Sequence, residues 1–132
     1  MNRKDRMTRI ARIAYIGLAW LLVACIAVQT YLAGAATFAD ASHLNRHTAF
    51  VHIFEIAPLL MLALAFAGRQ PAALRWRPLA MFALIIAQYA TANAPAAGAL
   101  HPVIALVLFA LALATARKAS QGASGTTGGD PA

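Results

Sequence analysis

Long apolar runs separated by short polar segments dominate the chain. Four such runs can be read from the sequence, at about 10–38, 48–67, 78–94 and 99–116. A helix that crosses the hydrocarbon core of a bilayer needs roughly 20 apolar residues, with about 17 as the lower limit. Polar and apolar residues do not alternate with the period of two that a membrane-spanning barrel requires. The pattern therefore predicts four transmembrane helices.

The predicted fold class is all-α, an integral membrane four-helix bundle with up-down-up-down connections. The pattern divides the chain into a basic N-terminal segment (1–9), the four-helix domain (10–118) and a C-terminal tail (119–132). Gly, Ser and Thr are abundant in the tail and apolar residues are scarce, so we expect it to be disordered. Overall composition agrees with a membrane protein, because 61% of the residues are hydrophobic and the mean hydropathy is +0.67.

Basic residues lie almost entirely on one side of the predicted bundle. Arg46 is on one side, and the rest of the 11 Lys and Arg residues are on the other: Arg3, Lys4, Arg6, Arg9, Arg12, Arg69, Arg75, Arg77, Arg117 and Lys118. Positively charged loops stay in the cytoplasm, so we expect both termini to be cytoplasmic in a multi-pass protein of a bacterial inner (plasma) membrane. The net charge of +7 then reflects topology. No aromatic interleaving accompanies it, which argues against nucleic-acid binding.

Embedded polar residues cluster at the opposite, outward level of all four helices. Polar groups inside a membrane usually face the bundle interior or a wet cavity, so the pattern predicts an outward-opening polar pocket. The residues predicted to line it are Glu55, Gln29, Gln88, Tyr89 and Asn93. Alternatively, such amides act as interhelical hydrogen bonds, which contribute about 0.6 kcal/mol each. A carboxylate at this level must be protonated or find a cation.

Histidines in the segment HLNRHTAFVHIFE (43–55) and at position 101 suggest a haem site. A b-type haem needs two imidazoles from different helices at similar depth. Helix 4 offers His101, and helix 2 offers His52 or His47, which point about 140° apart so that only one of them faces the bundle. We expect His52 and His101 to bind haem b iron, with helices 2 and 4 diagonal across the bundle. The absence of CxxCH excludes covalent c-type attachment.

Two other functions are compatible with the sequence. One is a zinc or copper site formed by His43, His47 and Asp40 in the outward loop. The other is an accessory or assembly subunit that packs through small residues at 32–36 and 96–99 against another membrane subunit or a second copy. No catalytic residue is predicted, because Cys25 lies away from the polar level. We therefore do not expect an enzyme that acts on its own.

Short motifs in this chain resemble a family of small bacterial four-helix integral membrane proteins of unknown function. The motifs are QTYLAG (29–34), HTAFVH (47–52), GRQP (68–71), QY (88–89) and LHPVIA (100–105). More distantly, the layout resembles one four-helix half of haem A synthase and other cytochrome b type bundles. That resemblance implies haem ligands at His52 or His47 and at His101. The acidic and arginine-containing outer-loop motifs of haem A synthase are not recognisable, so its oxidation chemistry is not implied.

Overall fold

The computed structural model describes residues 2–124, which form helices and turns with no β-strand. The helices are α1 (Arg3–Phe38), α2 (His43–Phe54), α3 (Ala57–Ala67), α4 (Ala72–Ala92) and α5 (Leu100–Ser124), with a 3₁₀ turn at Pro95–Ala97. Helices α2 and α3 follow each other as one continuous span. The described chain therefore has four helical rods, which confirms the all-α prediction.

Three of these rods, within residues 2–124, are long and apolar enough to cross a membrane. They are Arg3–Phe38, His43–Ala67 and Leu100–Gly122. Helix α4 has 21 residues and is about 31 Å long, close to the hydrocarbon thickness of roughly 30 Å. Its first turns carry Arg75 and Arg77, which lower its hydropathy. These findings support a helical membrane protein, while the orientation of the bundle stays a prediction.

The rods form a ring in which each contacts two neighbours. Helix α1 packs against the α2–α3 rod on one side and α5 on the other, and α4 also packs against both α3 and α5. The α2–α3 rod and α5 are consequently diagonal to each other. This is the arrangement that a haem held by the second and fourth rods requires.

An apolar stripe on each rod forms the core, and the outer surface is also apolar. On α1 the stripe recurs every three or four residues, as expected for one face of a helix. The fully buried members of the core include Tyr15, Ala19, Leu22, Met61, Ala65, Met81, Ala112 and Ala116. Large apolar side chains such as Ile53 (71% exposed) and Leu106 (68% exposed) cover the outside. A surface of this kind is suited to lipid, because water would not solvate it favourably.

Several helices are longer than the apolar runs that predicted them. The first helix begins at Arg3, before the first apolar residue, and the Asn2 side chain accepts a hydrogen bond from the Lys4 amide at 3.4 Å. Helix α2 already begins at His43. Helix α5 continues to Ser124, so the first part of the predicted disordered tail is helical. The remainder of that tail, 125–132, lies outside the described residues.

Helix α4 contains Pro78, where the apolar run had predicted a helix start. Proline has no N–H, so the carbonyl of Leu74, four residues earlier, lacks its usual helical donor. The hydroxyl of Tyr15, a fully buried α1 residue, donates to this carbonyl at 2.7 Å. A hydrogen bond from α1 thus replaces the missing backbone bond, which explains why α4 passes through the proline and begins at Ala72 instead.

The α2–α3 rod is interrupted near its middle. Pro58 lacks the N–H that would donate to the carbonyl of Phe54, so the helical hydrogen-bond ladder breaks there. Glu55 (φ −58°, ψ −27°) and Ile56 (φ −79°, ψ −15°) nevertheless keep right-handed helical dihedrals. The two segments therefore remain one rod with a break in its hydrogen bonds.

Candidate functional site

Two histidines from diagonal rods meet at the end of the bundle that carries the α1–α2 and α4–α5 connections. The rings of His47 on α2 and His101 on α5 have centroids 6.2 Å apart and an interplanar angle of 54°. Both residues are partly buried. We call them the histidine pair. The sequence predicted that only one of His47 and His52 faces the bundle, because the two point about 140° apart. In the structure that residue is His47.

A reciprocal contact with α1 fixes the His47 ring. Nδ1 of His47 lies 3.1 Å from the backbone carbonyl of Gln29, and the side-chain amide of Gln29 donates to the backbone carbonyl of His47 at 2.8 Å. A carbonyl oxygen only accepts, so Nδ1 must carry the proton. In the neutral ring Nε2 then keeps its lone pair, as a metal-binding imidazole requires.

The His101 ring is fixed in the same way from α4. Its Nδ1 lies 3.1 Å from the backbone carbonyl of Gln88, a hydrogen bond that forms when Nδ1 carries the proton. The hydroxyl of Thr91 lies 3.3 Å from the same nitrogen and donates to backbone carbonyls of its own helix. Each ring of the histidine pair is thus oriented by a backbone carbonyl on a neighbouring helix.

The side chain of Gln88 lies against the His101 ring. In the amide orientation that gives both of its polar atoms partners, its nitrogen lies 2.9 Å from Nδ1, 3.2 Å from Nε2 and 3.0 Å from the backbone carbonyl of His101, and its oxygen accepts from the Ala105 amide at 2.9 Å. Opposite it, Oε1 of Gln29 is buried without a hydrogen-bond partner in the described part of the chain. The Gln88 side-chain amide therefore has hydrogen-bond partners for both of its polar atoms, whereas the side-chain oxygen of Gln29 has none among the described residues.

A second polar cluster lies apart from the histidine pair, on the outer surface between α2–α3 and α4. Nδ1 of His52 is 3.4 Å from Oε1 of Glu55, and the Tyr89 hydroxyl donates to Oε2 of Glu55 and lies 3.2 Å from Nδ1 of His52. The His52 and Tyr89 rings stack with centroids 6.0 Å apart. The side chains of His52 and Glu55 are 57% and 36% exposed. We call this trio the surface cluster, and its exposure differs from the buried position expected for His52 and Glu55.

An apolar groove of about 300 Å³ adjoins the surface cluster. Glu55 and Tyr89 form its polar edge, and the apolar wall consists of Ile56, Leu59, Phe82, Ile85 and Ile86. The groove therefore combines a carboxylate with an apolar surface that faces outward. Such a combination suits a partner helix that carries a hydrogen-bond donor or a cation.

The other predicted polar residues have local roles. Asn93 is exposed at the end of α4, where its amide donates to the Tyr89 carbonyl at 2.8 Å, so it does not line the polar level. Asp40 lies in the α1–α2 connection, where the Ser42 amide donates to its carboxylate at 2.8 Å and holds the pKa of that carboxyl below its usual value. His43 is partly buried in the first turn of α2. Its Nδ1 is buried without a partner among the described residues.

The alternative metal site is not formed. Within residues 2–124, no group of three or more His, Cys, Asp or Glu side chains lies close enough to hold one metal ion. His43, His47 and Asp40 therefore do not form the predicted zinc or copper site. The histidine pair supplies two nitrogen donors, and a porphyrin would have to supply the others.

Sequence reasoning missed two features of this level. Thr91 is not among the predicted pocket residues, although it is buried and contacts the His101 ring. The separation of the histidine pair from the surface cluster was also missed. The signal for it lies in helical phase, because His52 and Glu55 share one face of the second rod and His47 lies on another.

Comparison with known proteins identifies a family but no function. No curated protein and no solved structure matches the chain. The resemblance to haem A synthase consequently gains no support from these comparisons. A family of unknown function, DUF6220, matches residues 29–97, which are slightly more than half of the chain and include His47 but end before His101. The protein belongs to the DUF6220 family.

Proposed function

We propose that this protein binds b-type haem through His47 and His101 and serves electron transfer or haem handling. The observation that carries the proposal is the spacing of the histidine pair, 6.2 Å between ring centroids on diagonal rods. Bonds from a metal to an imidazole nitrogen are about 2.0–2.1 Å long, so two rings on opposite sides of one metal ion have centroids about 6 Å apart. The sequence had favoured His52 as the partner of His101, and the surface position of His52 favours His47 instead.

The hydrogen bonds around the pair also support the proposal. Metal-binding histidines usually donate their second ring N–H to a carbonyl or carboxylate, which fixes the tautomer and leaves the other nitrogen for the metal. Gln29 and Gln88 provide such carbonyls from α1 and α4. A bound haem would supply one-electron chemistry at this end of the bundle.

Haem binding requires the Gln88 amide to leave its position. Its nitrogen lies 3.2 Å from Nε2 of His101, which is the atom that would bind iron. The same amide also contacts Nδ1 and the backbone carbonyl of His101, so its movement costs a few hydrogen bonds at roughly 1 kcal/mol each. The rings of Phe50 and Phe54, 5.5 Å apart on α2, provide aromatic surface on the same rod as His47.

An optical spectrum of the purified protein tests the proposal. Protein expressed with ample haem and purified in detergent is expected to show a Soret band that His47→Ala and His101→Ala each remove. His52→Ala is the matched control on the same helix and should keep the band. Added imidazole should restore it in the two Ala variants if they have lost only a ligand. A wild-type protein without a Soret band, or a band that survives His47→Ala, would overturn the proposal.

The surface cluster favours a second candidate, an accessory subunit of a membrane complex. Ionisable groups within a membrane normally face the bundle interior, yet the His52 and Glu55 side chains are exposed beside an apolar groove. A neighbouring subunit would cover both. In this case Glu55→Leu should release the protein from its native assembly, which blue native electrophoresis of membrane extracts would detect. Ile53→Leu, an apolar change at an exposed α2 position, is the control.

A further inference from the structure

A wide cleft lies at the opposite end of the bundle from the histidine pair. It occupies about 1090 Å³ between the first turns of α1, the α3–α4 connection and the last turns of α5. Four cations line it, namely Arg9, Arg12, Arg69 and Lys118, together with one acidic residue, Asp5. We call this the basic cleft. Its charge is therefore strongly positive.

The four cations of the basic cleft are not neutralised by the protein. Within residues 2–124, none of them forms an ion pair with a carboxylate. Arg12 donates from Nε to the backbone carbonyl of Gly68 at 2.7 Å, a bond that orients the guanidinium without cancelling its charge. A Cβ at position 68 would come within 3.1 Å of Cγ of Arg12, so glycine permits this close approach. The arginine is thus held in place with its charge available.

Arg69 is held at the cleft by an unfavourable backbone conformation. Its φ of 49° lies in the left-handed region, which favours glycine. This conformation ends α3, where the Arg69 amide donates to the Phe66 carbonyl at 3.1 Å and the Gln70 amide donates to the Ala65 carbonyl at 2.9 Å. The turn therefore places Arg69 among the residues that line the cleft.

Apolar residues continue the cleft toward the middle of the bundle. On α1 the basic positions Arg9 and Arg12 are followed by Ile13 and Ile16, which also line the cleft. Arg9 and Ile16 are about 10 Å apart along the helix axis. The cleft thus changes along α1 from a cationic mouth to an apolar wall, in the order in which a phospholipid changes from its phosphate to its acyl chains. A soluble phosphate compound would leave the apolar wall uncovered.

We propose that the basic cleft binds the phosphate group of an anionic phospholipid, with an acyl chain against Ile13 and Ile16. Basic pockets between transmembrane helices are known to favour such headgroups. The headgroup is contacted by Arg9 and Arg12 from α1, by Arg69 from the α3–α4 connection and by Lys118 from α5. The inference is independent of haem binding, because the two sites lie at opposite ends of the bundle.

Native mass spectrometry of the detergent-purified full-length protein tests this inference. The protein is titrated with phosphatidylglycerol, with phosphatidylcholine and with inorganic phosphate. Phosphatidylglycerol is expected to bind at least fivefold more tightly than phosphatidylcholine, and inorganic phosphate is not expected to displace it. The double variant Arg9→Gln/Lys118→Gln should weaken phosphatidylglycerol binding roughly 30-fold, since each of the two cations near the membrane surface contributes about fivefold.

A charge-matched control separates a site from general attraction. Arg3→Gln/Lys4→Gln removes the same charge from α1 residues that do not line the cleft, and should keep the lipid preference. Equal binding of the two lipids, or an equal loss in the control, would overturn the inference. Displacement of the lipid by inorganic phosphate would do so too, since it would identify a site for a soluble phosphate. The side chains of Arg9 and Lys118 make no hydrogen bond to the described residues, so the test variant should fold normally.

Discussion

Gln29 and His47 hydrogen-bond each other twice across the α1–α2 interface. The Gln29 amide donates to the His47 backbone carbonyl at 2.8 Å, and Nδ1 of His47 donates to the Gln29 backbone carbonyl at 3.1 Å. Each residue thus uses one side-chain and one backbone group. This pairing joins two helices and orients the imidazole at the same time.

Replacement of Gln29 should weaken both the contact between α1 and α2 and the orientation of the His47 imidazole. Gln29→Leu removes the side-chain donor, and interhelical hydrogen bonds in membranes contribute about 0.6 kcal/mol on average and up to about 1.7. We expect a modest loss of unfolding free energy in detergent, measured by denaturant titration, together with a weaker Soret band. Thr30→Val is the control, because Thr30 bonds only to the Ile26 carbonyl of its own helix. A Gln29→Leu protein as stable as Thr30→Val would contradict the prediction.

Replacement of Gln88 should have the opposite effect on haem. Gln88→Ala removes the amide that lies 3.2 Å from Nε2 of His101 but keeps the backbone carbonyl that orients Nδ1. Haem then no longer displaces a hydrogen bond, so its affinity should rise about 2- to 10-fold. Haem titration of apoprotein followed at the Soret maximum measures the change. Asn93→Ala at the end of the same helix should leave the affinity unchanged.

Tyr15 should be among the more sensitive polar positions of the core. Tyr15→Phe leaves the buried carbonyl of Leu74 without a donor, at a cost of about 1–3 kcal/mol. Thermal unfolding in detergent measures the effect, and Tyr31→Phe is a matched control because Tyr31 is 70% exposed on the same helix.

A double-mutant cycle tests the reason for this cost. Pro78→Ala restores the N–H that can donate to the Leu74 carbonyl, so Tyr15→Phe should cost much less in that background. Equal costs in the two backgrounds would show that the hydroxyl has another role.

Glycine at position 69 should separate stability from lipid binding. Arg69→Gly removes the backbone strain at φ 49° and should raise the unfolding free energy by up to about 1 kcal/mol. The same change removes one cation from the basic cleft, so the preference for phosphatidylglycerol should fall several-fold. Thermal unfolding and native mass spectrometry measure the two effects. Reduced stability of Arg69→Gly in the absence of added lipid would argue that Arg69 is needed for the turn itself.

Cysteine labelling in intact cells tests the orientation of the bundle. In a Cys25→Ala background, Arg46→Cys lies in α2 near the histidine pair and Arg69→Cys lies at the basic cleft. The distribution of basic residues predicts that a membrane-impermeant maleimide labels position 46 in intact cells and position 69 only after lysis. The reverse pattern would place the basic cleft outside the cell.

Hydropathy predicted the four rods because burial in lipid imposes a simple requirement on length and apolarity. The boundaries were less predictable, since they depend on contacts between distant residues. Pro78 illustrates this, as its tolerance inside α4 rests on a hydrogen bond from Tyr15, 59 positions away from its acceptor Leu74. No local pattern around the proline contains that information.

The candidate site was predictable as a level in the bundle but not as a set of contacts. Polar residues on all four rods indicated the depth at which Gln29, Gln88 and His101 meet. The choice between His47 and His52 depended on the rotation of α2 about its axis, which is fixed by packing of Phe54 into the core. The sequence left this rotation open because both faces of α2 carry a histidine, although Phe50 and Phe54 lie on the face of His47.

The break between α2 and α3 has a mechanical consequence for the two ends of the molecule. A continuous helix transmits a displacement along its whole length, whereas a missing backbone bond at Pro58 allows the two halves to bend relative to each other. The half that carries His47 can therefore adjust its tilt while Met61 and Ala65 stay packed in the core. Pro58 is thus a joint in the second rod, so a change of tilt at the histidine pair need not alter the packing at the opposite end of the bundle.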